Sequence, residues 1–141
     1  MRISLAIATF AAAAAAGSAA AAMTKHEYRE GNSRIEALYQ ADRQKCGSRP
    51  GHPSALCIAR ARGERRVAKA ELEAAYKPGP RAYYDAAVAR AQAAYSVAQL
   101  ECDDRKGDAR RACLAEARQA RDRARGEARA QLDQRRASKS P

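Results

Sequence analysis

The chain has 141 residues, with no Trp, one Phe, 21 Arg against 6 Lys, four Cys and a formal net charge of +11. Beyond the N-terminal stretch its large aliphatics are Ile35, Leu38, Leu56, Ile58, Val67, Leu72, Val88, Val97, Leu100, Leu114 and Leu132. Even full burial of these would contribute roughly 2 kcal/mol each, against an ordering cost on the order of 100 kcal/mol, so the composition excludes a compact enzyme with a deep core. The filler is Ala, Arg, Glu and Gln, all strong helix formers, which argues for long, thin helices rather than coil.

Residues 1–22 read as a secretory signal peptide. Met1-Arg2 is a short basic start, Ile3 to Ala16 an apolar stretch, and Gly17 to Ala22 a run of small residues suited to cleavage after Ala22. The apolar part is shorter than the ~20 residues a membrane-spanning helix needs, and no Cys stands at the cleavage site for lipid attachment. Export to the periplasm or the medium follows, with no transmembrane span once the signal is removed. An oxidising compartment also favours cysteine pairing.

Beyond the signal the chain repeats itself. Residues 28–74 overlay on 84–130 with an offset of 56, matching Tyr28 with Tyr84, Tyr39 with Tyr95, Cys46 with Cys102, Gly51 with Gly107, Cys57 with Cys113, Arg62 with Arg118 and Arg65 with Arg121. Two copies of one supersecondary unit are expected: residues 23–76 and 81–136, joined by the Pro/Gly linker 77–80 and followed by a disordered tail, 137–141. Helices are predicted over 24–46, 54–76, 81–104 and 108–136. Ser54 and Asp108 are the expected N-caps and Gly107 a helix stop.

Each unit is thus an antiparallel helical hairpin, and the fold class is all-α. In the third helix Tyr84, Val88, Ala91, Tyr95, Ala98 and Cys102 alternate steps of four and three, a coiled-coil seam. The fourth offers Cys113, Ala117, Ala120 and Ala124 at similar spacing. Glu30/Arg34, Glu73/Lys77 and Glu101/Arg105 are expected helix-supporting ion pairs. Two arrangements are open: hairpins folded together in an elongated four-helix arrangement, or extended as a rod. Ala seams would also suit homodimerisation.

Cys46 and Cys57 are equidistant from the first turn, as Cys102 and Cys113 are from the second. Such residues face each other in an antiparallel hairpin, so Cys46–Cys57 and Cys102–Cys113 are the expected disulfides, with the cross-repeat pairings still open. No Cys-x-x-Cys or paired His supports a metal, redox or haem role, and no cofactor is expected. His26 and His52 read as solvated, the carboxylates have basic neighbours, and no nucleophile or phosphate-loop motif occurs. No catalytic residue is assigned. Tyr28, Tyr39, Tyr84 and Tyr95 read as seam residues in preference to base-stacking platforms.

Without Arg2 the chain keeps a formal +10, densest near the C-terminus. Arg110, Arg111, Arg118, Arg121, Arg125 and Arg129 are the candidate polyanion-binding residues. In an exported protein they would meet lipopolysaccharide or anionic lipid before nucleic acid.

Three blocks carry a resemblance. The first is Arg34-Ile35-Glu36-Ala37 through Tyr39 and Ala41-Asp42 to Cys46; the second is Ala68-Lys69-Ala70-Glu71-Leu72-Glu73 before Tyr76-Lys77-Pro78. The third is Cys102-Asp103-Asp104 through Gly107 to Cys113, with Glu116-Ala117-Arg118. Over most of the chain beyond the signal this resembles uncharacterised exported Ala- and charge-rich helical proteins of beta-proteobacteria with paired-Cys repeats, sometimes labelled TolA-like cell envelope biogenesis proteins. The signal, the stapled hairpins and the absence of a catalytic constellation lead to the expectation of a non-enzymatic structural or interaction role at the cell envelope, with an unidentified envelope component as partner or, from the Arg-rich last helix, a polyanion. The resemblance itself implies export and a helical fold. It transfers no site residues. Pro50 and Pro53 depart from its pattern at the start of the second helix.

Overall fold

The computed structural model describes residues 22–48 and 50–139. The expected signal peptide therefore lies outside the described residues, Ala22 apart, as does the end of the tail. The fold is all-α: α1 (Lys25–Gly47), α2 (His52–Tyr76), α3 (Pro80–Glu101), a 3-10 turn (Cys102–Asp104) and α4 (Gly107–Ala137).

Local chemistry sets each start. At α1, Thr24 and Glu27 form a reciprocal capping box: the Glu27 N–H donates to Thr24 Oγ1 (3.2 Å) and the Thr24 N–H to Glu27 Oε2 (2.7 Å), satisfying two otherwise orphaned donors. That hydrogen bonding holds the Glu27 carboxyl below its ordinary pKa. Pro53 and Pro80 sit in the first turns of α2 and α3, where a missing N–H costs nothing.

Two expected boundaries are corrected. Ser54 is not the N-cap of α2. The helix opens at His52 behind Gly51, whose φ of 66° is available to glycine alone at little cost, and the Ser54 hydroxyl instead donates to the Cys46 carbonyl at 3.2 Å. Nor does Asp108 cap α4. Lys106 holds the cap position, and Gly107, expected as a stop, turns the chain into the helix with φ 55°. The two positive-φ glycines are repeat mates, so both hairpins turn on the same device. The third helix ends three residues earlier than expected because its last turn tightens into the 3-10 segment.

The helices pack strictly in sequence: α1 on α2, α2 on α3 and α3 on α4, with no other pair of α-helices in contact among the described residues. All three pairings are antiparallel. Gly31 faces Leu72, Glu36 faces Arg65 and Cys46 faces Cys57 along the first. Arg90 meets Glu71 and Arg60 meets Glu101 along the second, and Tyr83 meets Arg135 along the third. The hairpins thus fold onto each other through α2 and α3, as an open array rather than a closed bundle. Both disulfides, Cys46–Cys57 (Cα–Cα 5.5 Å) and Cys102–Cys113 (5.7 Å), join the expected partners. They lie at one end, opposite the α2–α3 turn.

What the array buries is small. Buried side chains among the described residues are Cys46, Cys102, Leu132 and six Ala, with no buried polar side chain. Ala86 and Ala89 give α3 a second apolar edge beside the Tyr84–Cys102 seam. At the α2–α3 crossing Gly63 is buried, and a Cβ there would stand 3.0 Å from that of Ala93. Leu38, counted among the aliphatics available for burial, is 59% exposed.

Candidate anion-binding site

Positions 62, 65, 66 and 69 of α2 are spaced i, i+3, i+4 and i+7, which puts Arg62, Arg65, Arg66 and Lys69 on one helix face. Beside them α1 presents Glu36 and Tyr39, one turn apart. The four cations and Tyr39 line a cleft of ≈ 330 Å³. Glu36 Oε1 accepts from Arg65 (Nη2, 2.9 Å; Nε, 3.0 Å) and from Lys69 Nζ (2.5 Å). The Lys69 hydrogen bond, reinforced by Arg65, holds the Glu36 carboxyl below its ordinary value. Arg65 also lies over the Tyr39 ring, 4.8 Å from its centroid, with Arg43 at 5.7 Å. Such cation–π stacking orients a guanidinium while leaving its edge donors available. Arg62 and Arg66 are exposed and make no ion pair among the described residues.

The second repeat carries a related arrangement, with Arg125 in place of Lys69, Gln99 in place of Arg43 and two changes that alter its acids. Tyr95 underlies Arg121 at 4.5 Å, flanked on α4 by exposed Arg118 and Arg125. Gln92 stands where the first repeat has Glu36, and Asp122 where it has Arg66. Asp122 meets Arg121 at 2.8 Å; that hydrogen bond, and then Arg125, hold its carboxyl below the ordinary range, while Arg121 is held more firmly protonated.

Of the six polyanion candidates on the last helix, four hold local acids. Arg110 pairs with Asp103 (2.7 Å), Arg111 with Asp108, Arg121 with Asp122 and Arg129 with Asp133 (3.2 Å). Arg118 and Arg125 are left with no ion pair within 4 Å among the described residues. The cluster on α2 was not singled out from sequence, although its spacing and the matches Arg62/Arg118 and Arg65/Arg121 were both visible there.

No protein-family model, curated protein or solved structure matches the chain.

The tyrosines divide by position. Tyr28 stacks on Tyr76 (centroids 4.4 Å) and its hydroxyl donates to Glu73 at 2.8 Å, a seam role. Tyr39 and Tyr95 are half-buried in their seams and also carry the guanidinium groups. His52 departs from the solvated expectation: its Nε2 is shielded from solvent without a hydrogen-bond partner, 3.5 Å from Asp104 Oδ1. His26 is exposed and lies 3.5 Å from Glu30. Of the expected pairs, Glu30 instead meets His26 on its own helix and Glu101 meets Arg60 of α2, whereas the Glu73/Lys77 contact forms at 3.7 Å. Among the described residues no three His, Cys, Asp or Glu side chains converge on one point.

Proposed function

We propose that the protein is exported to the periplasm or the medium and acts there without catalysis, as a disulfide-closed helical module with a structural or interaction role at the cell envelope. The observation that carries this reading is the closure of both hairpins by disulfides, which supports an oxidising, non-cytoplasmic compartment because such bonds persist where thiols are not kept reduced. No described helix is long and apolar enough to cross a membrane. The leader-like residues 1–22 and the resemblance to exported Ala- and charge-rich proteins point the same way. Cell fractionation with intact-mass analysis tests it. The expected product lacks residues 1–22, is fully oxidised and lies outside the cytoplasm; an unprocessed, reduced cytosolic chain overturns the reading.

A second reading is favoured by the two Tyr–Arg clusters: the interaction is with a polyanion. Attraction of this kind weakens as salt rises. Binding to lipopolysaccharide, anionic vesicles and DNA, measured from low to moderate ionic strength, is expected to fall steeply. Salt-independent binding, or none to any of the three, argues against charge-driven recognition.

A further inference from the structure

We propose that the cleft formed by Tyr39, Arg62, Arg65, Arg66 and Lys69 is a site for a phosphate monoester, and that Glu36 is its resident competitor. This deepens the polyanion reading and rests on it. The residues span two turns of one helix, about 10 Å, the scale of a single phosphoryl group rather than a polymer track. Four cations face one carboxylate there, so the cleft holds more positive charge than Glu36 neutralises. Glu36 takes up Arg65 and Lys69 and leaves Arg62 and Arg66 open. A second carboxylate would only repeat what Glu36 does. A phosphate monoester brings close to two negative charges and three strong acceptor oxygens, matching two unused guanidinium forks plus the donors it can win from Glu36. Tyr39 supports this by holding Arg65 flat. In the second repeat Asp122 replaces one of the open arginines and engages Arg121, so the related cluster is a weaker version of the same site.

The phosphate can be free or carried on a lipid headgroup, and the test separates the two. Oxidised protein lacking residues 1–22 is titrated with inorganic phosphate by backbone amide NMR. It is also titrated with vesicles of phosphatidic acid and of phosphatidylglycerol, a phosphodiester, matched in surface charge. The largest shifts are expected at residues 36–43 and 62–69, with smaller ones at higher concentration in the related cluster around Tyr95 and Arg121. R62A/R66A, altered only at exposed side chains, should bind phosphate at least 10-fold more weakly with its thermal melt unchanged. E36Q should bind severalfold more tightly, and R118A/R125A should change affinity less than twofold. Preference for phosphatidic acid over phosphatidylglycerol supports a lipid source. Binding of inorganic phosphate without that preference supports a soluble one. The site is overturned if R62A/R66A binds phosphate as well as the unaltered chain, or if E36Q weakens binding. If R62A/R66A also keeps its salt-sensitive vesicle binding, polyanion recognition stands and only the cleft fails. If the unaltered protein binds none of the probes at low salt, both fall together.

Discussion

Gly63 decides how closely the two hairpins approach, and replacing it separates packing from helix propensity. It lies mid-helix, buried against α3, where an added Cβ would stand 3.0 Å from Ala93 Cβ and 3.6 Å from Ala93 Cα. In an open helix Gly→Ala gains about 1 kcal/mol. Gly126 supplies that reference on α4, with nothing within 4 Å of its would-be Cβ. At Gly63 the new methyl must push two helix backbones apart by a few tenths of an ångström, and overpacking of this kind costs roughly 1–3 kcal/mol. Gly63→Ala is therefore expected to be neutral to ~2 kcal/mol destabilising. Gly63→Leu, whose branched side chain must start from the same close contact with Ala93, should cost more, about 3 kcal/mol. Thermal unfolding followed by circular dichroism reads this at ~4 °C per kcal/mol for a chain of this size. Gly126→Ala should melt a few degrees higher than the parent and Gly63→Leu at least ~10 °C lower, with helicity before the transition largely kept because each hairpin retains its disulfide. If Gly63→Ala gained as much as Gly126→Ala, the close α2–α3 contact would not exist in solution.

Leu132 is the largest fully buried side chain, 1% exposed. Leu132→Ala should cost about 2–4 kcal/mol in a chemical denaturation series, and a loss under ~1 kcal/mol would mean that the end of α4 is not docked. The Glu36 carboxyl titrates below its ordinary value of 4.5 in the folded chain, so its contribution to stability is complete above that value and disappears as pH falls through the depressed folded pKa. The denaturation midpoints of the parent and of Glu36→Gln should accordingly differ by a constant amount near neutrality and converge in acid; a gap that widened in acid would refute the assigned pairing.

Much of the fold was legible because its determinants are local or periodic. Helix-forming composition, the 56-residue offset, the 77–80 breaker and the symmetric cysteine spacing lead to two stapled hairpins without any long-range information. Boundaries were less legible at Ser54 and Asp108. Both residues have N-cap chemistry, but the chain direction is set by left-handed Gly51 and Gly107, which place the starts one or two residues earlier. The union of the hairpins was not readable because the second apolar edge of α3 is made of Ala86, Ala89 and Ala93, which periodicity does not distinguish from helix filler. The candidate site shows the same limit. Counting arginines along the chain points to the last helix, where most of the candidates meet acids of their own helix or the preceding turn. The cleft on α2 depends on Tyr39 and Glu36, which only the α1–α2 pairing brings alongside.

With so little buried, covalent closure of each hairpin is the claim on which the architecture stands. Each bridge spans 11 positions and contributes ~3 kcal/mol in the chain-entropy model, so removing both should lower the melting temperature by roughly 20 °C. The direct measurement is peptide mapping of unreduced protein, paired with thermal melts in the presence and absence of reductant. Peptides joining Cys46 to Cys57 and Cys102 to Cys113, with a large drop in melting temperature on reduction, are the expected result. Peptides linking one repeat to the other, or an identical melt after complete reduction, would contradict it.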